Sequence, residues 1–353
     1  MRPIVGKSRT AVIYGVKDAR VVERDVPELG THDALIKVEA CNLCTSEYGV
    51  FSGARASTKK LPMTFGHEWA GEVIQVGDEV RNLKVGDFVA GSYTFDPYSP
   101  EALEGHQFGA PGIRAYDDQW PDGLYGRYVG CAEYLVQSVE NLHVFKNRIP
   151  APEAGFLEPL STVVSGIRRL DLKDTDTVVV VGGGTMGNLN AQVARRSGAR
   201  VIVSEPMADK RAVAEGLGLE TIDSGTLDPV EEVKARTDGR GADVVIVAVG
   251  LTVANKQAFD MLKKTEGKVL LFAAGYPAPE LGVDSNRIHY GKMSLLGTFG
   301  GEYVDFKEAC RLLDGGLVNV APLVDKAYPL DEIQAAFENA CAPGGYRTTV
   351  TMR

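Results

Sequence analysis

The stretch Val178-Val179-Val180-Val181-Gly182-Gly183-Gly184-Thr185-Met186-Gly187 decides the reading of this chain. Its four valines make an apolar run of strand type. The run meets three glycines and a fourth at the spacing G-x-G-x-x-G, and the helix-forming Asn190-Ala-Gln-Val-Ala-Arg-Arg follows. The order is therefore strand, tight turn, helix. In a parallel α/β unit the first glycine permits the turn, the second lets the backbone approach a diphosphate, and the third lets helix pack on strand. N–H groups at the helix start then face the phosphates, and the helix dipole favours their charge. A second apolar run, Val201-Ile-Val-Ser, ends on Glu205, about twenty residues beyond the first glycine, where a carboxylate accepts hydrogen bonds from an adenosine ribose. The candidate dinucleotide residues are Gly182, Gly184, Thr185, Met186, Gly187 and Glu205.

Working outward, the chain from Thr177 alternates strand and helix. Strands are predicted at Val178–Val181, Val201–Ser204, Val244–Ala248 and Lys268–Ala273, with helices between them such as Met207–Leu217 and Val253–Leu262. That alternation predicts a doubly wound parallel sheet covered on both faces. Before it the sequence is β-rich, with short runs at Thr10–Tyr14, Ala34–Ala40, Ala70–Val76, Asp87–Ala90 and Cys131–Val136 separated by Gly-Asp turns, which predicts an antiparallel barrel-like domain. From Tyr93 to Tyr128 periodicity is lost among Gly, Pro, Asp and aromatic residues, as in a long loop or lobe. Glu153–Leu170 reads as a helix-rich connector. Phe306–Leu313 and Asp331–Asn339 read as helices, and Lys326–Tyr328 and Thr348–Met352 as extended segments that return to the first domain. The domains are expected at 1–155, 156–295 and 296–353, the dinucleotide unit being inserted into the other.

The bulk properties fit this arrangement. A chain of 353 residues exceeds one ordinary core. The net charge of −9 disfavours a nucleic-acid partner. No apolar run is long enough to span a bilayer and the first residues lack a signal-peptide core, so no membrane partner and a cytoplasmic location are expected. The five cysteines are odd in number and scattered, unlike a disulfide framework.

Metal-binding side chains concentrate at two places, Cys41-Asn-Leu-Cys44-Thr45-Ser46-Glu47 and Gly66-His67-Glu68-Trp-Ala-Gly71. Thiolate, imidazole and carboxylate form a set that zinc accepts, with one position left open in a catalytic site.

Over essentially its full length the chain resembles the zinc-dependent medium-chain dehydrogenase/reductase family, nearest its sorbitol dehydrogenase-like polyol branch. The resemblance is carried by Gly66-His67-Glu68-x-x-Gly71-x-Val73, Val85-Gly86-Asp87-x-Val89, Gly130-x-Ala132-Glu133-Tyr134, Glu158-Pro159-Leu160-Ser161 and the glycine turn. It implies a GroES-like barrel beside a Rossmann sheet. It also implies one catalytic zinc held by Cys44, His67 and Glu68, with Glu158 as an exchangeable ligand. In the family Ser46 passes the alcohol proton onward and Glu47 orients the histidine, while Thr162 and Phe299 lie by the nicotinamide. Expected partners are a small-molecule alcohol or ketone and further copies of the chain, as dimer or tetramer. Thr45 and Gly49 depart from the family pattern, Gly49 replacing a frequent relay histidine. The Tyr93–Tyr128 lobe lacks the four cysteines that hold a structural zinc in many relatives, and Asp96 and His106 are read there as solvated. Cys41 is read as core. Glu205 favours NAD over NADP, with Lys210 and Arg211 as the counter-indication. The expected reaction is interconversion of a polyol, sugar alcohol or cyclitol hydroxyl and its ketone. The alternatives are a zinc-free reductase of quinone or enoyl type and a catalytically silent cofactor-binding protein.

Overall fold

A computed structural model describes residues 1–55, 59–91, 96, 98–107, 110 and 118–352. The chain divides into two compact units, Met1–Ser161 with Gly301–Arg353, and Thr162–Gly300, the first division falling within the helix Leu157–Leu170.

In the second unit six parallel strands run in the order Glu220–Ile222, Arg200–Ser204, Thr177–Val181, Val244–Val247, Lys268–Leu271, Ser294–Gly297. Thr177–Val181 is buried along its whole length because both of its faces are covered. Val178 and Val180 point into a core with Ala191 and Ala194 of the helix Thr185–Arg195. Val179 and Val181 point the other way, against Ala258 and Phe259 of the helix Thr252–Met261. Each such fully buried aliphatic side chain contributes about 1.5–3 kcal/mol. The strand order reverses next to Thr177–Val181, so the glycine turn leaves the sheet at its topological switch point, where doubly wound sheets bind ligands. The predicted strands are all present. The two edge strands, Glu220–Ile222 and Ser294–Gly297, are additional to the four that the sequence predicts.

The first unit is built on a three-stranded and a seven-stranded sheet. At the centre of the larger one lies Asp33–Asn42, antiparallel to Glu68–Val76, Tyr134–Ser138 and Arg347–Thr351. Cys41 stands opposite both Trp69 and Val350, and Asn42 opposite both Glu68 and Thr349. Cys41 is fully buried in the apolar core, in accord with its reading as a core residue. The strand predicted from Cys131 begins only at Tyr134. A strand the sequence reading did not isolate, Asp18–Asp25, pairs with Lys7–Gly15 at the edge of the smaller sheet. In the lobe, Tyr93–Phe95, Pro97, Phe108, Gly109 and 111–117 lie outside the described residues. Its described part is more regular than predicted, with a one-turn helix Pro100–Leu103 capped by the Ser99 hydroxyl. Asp96 and His106 are exposed. Among the described residues no helix is long and apolar enough to cross a membrane.

Candidate active site

Strand register brings the metal-binding side chains together. Asn42 ends the central strand, and two residues later Cys44 emerges at the start of the helix Thr45–Phe51. Glu68 opens the strand on one side of it, with His67 just before. Arg347 opens the strand on the other side, anchored where Leu43 N–H donates to Thr348 O at 2.9 Å. His67 follows Gly66, which has φ of +102° and whose missing Cβ would lie 2.3 Å from Cys131 N; only glycine lets the chain turn there.

Cys44, His67 and Glu68 each offer a ligand atom, and these atoms all lie within 4.8 Å of one another. His67 Nε2 is 3.9 Å from Glu68 Oε1 and 3.9 Å from Glu158 Oε2. Glu158 lies buried in the first turn of Leu157–Leu170. Four of the predicted site residues are therefore gathered.

Glu47 ties the local structure to the site. As the third residue of its helix it reaches back to accept the Cys44 N–H at Oε2, 3.0 Å, capping the helix. The same oxygen accepts the Ser46 hydroxyl at 2.9 Å, while Oε1 stands 2.7 Å from His67 Nδ1. Burial opposes ionisation of Glu47, but His67 and these hydrogen bonds outweigh it and hold its carboxyl below the ordinary value. Burial likewise opposes a charge on His67, yet the carboxylates of Glu47 and Glu158 raise its pKa well above the usual one. This contact fixes which imidazole nitrogen is left for a ligand role: Nε2.

Two contributors escaped the sequence reading. Arg347 donates from Nε to Glu68 Oε2 at 2.9 Å and from Nη2 to Glu68 Oε1 at 2.8 Å, and Nη2 lies 3.7 Å from Cys44 Sγ. For Glu68 burial outweighs this partner and raises its pKa. The only sequence signal was a lone cation opening an otherwise uncharged final strand. Tyr128 places its ring 5.2 Å from that of His67. Beside Gly49 the Arg55 side chain fills the space: a Cβ at 49 would meet Arg55 Cδ at 2.9 Å.

At the glycine turn of the other unit, Gly182 has φ of +102°, and a Cβ at Gly187 would fall 1.8 Å from Gly182 O, so helix and strand close only over glycine. Glu205 is buried; its Oε2 accepts Gly183 N–H at 2.7 Å and its Oε1 accepts Met207 N–H at 2.9 Å. Arg211 is committed elsewhere, from Nη1 to the carbonyls of Glu205 and Pro206 and from Nη2 to Asp223. Lys210 Nζ lies 3.9 Å from where a Gly184 Cβ would be. Thr162 lies on Leu157–Leu170, and Phe299 is 83% exposed just beyond the edge strand.

The comparisons with known proteins agree with this anatomy. Residues 30–145 match the alcohol dehydrogenase GroES-like domain, and residues 185–315 match the zinc-binding dehydrogenase domain. The sorbitol dehydrogenase of Halalkalibacterium halodurans is 29% identical over 330 residues, 92% of this chain and 93% of that protein. The L-threonine 3-dehydrogenase of Symbiobacterium thermophilum is 31% identical over 329 residues, 91% of this chain and 90% of its own. Among solved structures, a zinc-binding dehydrogenase of Sinorhizobium meliloti bound to NADP superposes with a TM-score of 0.87 at 27% identity, over 98% of this chain and 100% of that one. Two matched domains and relatives aligned end to end thus carry the conclusion: the chain belongs to the zinc-dependent medium-chain dehydrogenase/reductase family, in the polyol branch that includes the sorbitol dehydrogenases.

Proposed function

We propose that the protein is an NAD-dependent dehydrogenase that interconverts a secondary alcohol of the polyol, sugar alcohol or cyclitol class and its ketone. The observation that carries this reading is the thiol of Cys44 and the imidazole of His67 gathered with two carboxylates, Glu68 within 4.8 Å of both and Glu158 3.9 Å from His67 Nε2, a donor set that suits zinc. When bound, zinc supplies a Lewis acid that acidifies the alcohol, and NAD supplies the hydride acceptor.

The chain's own residues do the rest. Cys44 and His67 are the standing ligands, His67 through Nε2 because Glu47 holds Nδ1. Arg347 already engages both oxygens of Glu68, which favours Glu158 as the carboxylate that approaches the metal. Ser46 would take the alcohol proton while passing its own hydroxyl proton to the nicotinamide ribose, for which its hydroxyl must turn from Glu47. The N–H groups of Thr185, Met186 and Gly187 at the helix start would hold the diphosphate, which the missing side chains of Gly182 and Gly184 would let approach. Glu205 would accept from the adenosine ribose, and Thr162 and Phe299 would flank the nicotinamide. Exposed Leu295 on the edge strand supports a homo-oligomer, since an open apolar edge needs covering; sedimentation as a monomer would refute it.

The test is a panel of polyols, aminocyclitols, simple secondary alcohols and L-threonine, followed by absorbance of the reduced nicotinamide. Turnover of a polyhydroxy alcohol is expected. Zinc-loaded protein that oxidises no alcohol in the panel overturns the reading.

A further inference from the structure

Three successive glycines, Gly182 to Gly184, make the turn after Thr177–Val181 costly to order, because glycine loses more conformational freedom than any other residue. Two buried side chains hold its middle peptides. Gly183 N–H donates to Glu205 Oε2 at 2.7 Å, and Gly183 C=O accepts from Asn188 Nδ2 at 2.6 Å. The same amide reaches Gly184 O at 3.2 Å, a carbonyl that also accepts the Asn188 backbone N–H at 2.9 Å. Asn188 is wholly buried in the first turns of the helix Thr185–Arg195.

Its Oδ1 is buried with no hydrogen-bond partner among the described residues. An acceptor buried in that way is a cost that an aliphatic side chain would avoid. The gain from asparagine therefore lies in the two bonds that Nδ2 donates. They also fix the amide's orientation, since turning it over would set Oδ1 against two carbonyl oxygens.

We infer that Asn188 is a positioning residue for the diphosphate of the dinucleotide, an inference that rests on the dinucleotide reading of this turn. A glycine peptide flips easily, and a carbonyl rotated toward a diphosphate opposes it. Asn188 keeps the carbonyls of Gly183 and Gly184 turned onto itself while Glu205 holds the Gly183 N–H from the other end of the residue. The N–H groups of the helix start stay aimed at the ligand, and the ordering cost is met before the ligand arrives.

The experiment is calorimetric titration of ADP-ribose, which carries the diphosphate, beside competition by adenosine, which does not, on the full chain with Asn188→Leu and Asn188→Ser. Leucine keeps the volume and drops the donor; serine is too short to reach both carbonyls and serves if the leucine variant does not fold. The Kd for ADP-ribose is expected to rise about tenfold while adenosine competition changes by less than about twofold and the ligand-free melting temperature holds within a few degrees. Equal losses for both ligands, or an unchanged ADP-ribose Kd in a folded variant, overturns the inference. If the unmodified protein binds neither NADH nor ADP-ribose, the dinucleotide reading has failed and the inference falls with it.

Discussion

Arg347 closes a two-pronged grip on Glu68, with Nε at 2.9 Å from one carboxylate oxygen and Nη2 at 2.8 Å from the other, both side chains buried. A carboxylate without water needs such a partner, and the planar guanidinium satisfies both oxygens at once. Removing only the cation strands the anion. Arg347→Met is therefore expected to lose about 3–5 kcal/mol of stability by chemical denaturation. Arg347→Met with Glu68→Leu should recover at least half of that loss. A double variant no more stable than the single one would show that the pair is not the source of the loss.

The same grip ranks the candidate ligands. Cys44→Ala and His67→Ala are expected to drop both zinc and turnover, whereas Glu68→Gln, whose oxygen still faces Arg347, should retain most of the metal. Elemental analysis of the purified chain should give one zinc per subunit, because the lobe lacks the clustered cysteines of a structural site. Two equivalents per chain, or turnover that survives metal loss in Cys44→Ala, would contradict the assignment.

What the sequence could show follows from the distance over which each signal acts. The parallel sheet was legible because strands buried on both faces must be continuously apolar, as Val178–Val181 is. Cys44, His67 and Glu47 were legible through the family resemblance that their short motifs carry, while the cap that Glu47 makes to the Cys44 N–H was not read. Arg347 was not, because its partner is 279 residues away and only strand register makes them neighbours. The strand Asp18–Asp25 was missed for another reason. It is a charged, half-exposed edge strand, Asp-Ala-Arg-Val-Val-Glu-Arg-Asp, with little apolar run to betray it. Nor does a glycine pattern reveal which side chains hold the turn, so nothing in the sequence singled out Asn188.

Cofactor choice turns on Glu205. Its carboxylate stands at the end of the second strand, where it repels a 2′-phosphate, and Arg211 is bound to Asp223 and to carbonyls. NAD is expected to be preferred in kcat/KM. Lys210, beside the turn, is the cation that could blunt this preference, so Lys210→Ala should widen the NAD to NADP ratio without altering the NAD value beyond about twofold. A tenfold preference for NADP in the unmodified enzyme would end the claim.

His143 is one source of the first unit's sensitivity to acid. It is buried in the strand Leu142–Phe145, with its ring stacked on Phe306 at 5.5 Å and tilted against Tyr303 at 5.5 Å, and its Nε2 has no hydrogen-bond partner among the described residues. Burial first, then the Lys307 ammonium, pushes its pKa down from 6.5 to about 4. In the unfolded chain the imidazole returns to its ordinary value. Above that value it is neutral in both states and contributes nothing. As pH falls from 6.5 toward 4 the unfolded state takes up a proton that the folded state refuses, so stability falls across that window and levels off below it. A shift of this size corresponds to about 3 kcal/mol. His143→Phe keeps the stack on Phe306 and removes the titration. Denaturation at pH 7.5 and pH 5 should find the two proteins diverging on the acid side, with the phenylalanine variant losing less; every other titrating group is common to both, so a parallel loss would rule out His143 as the cause.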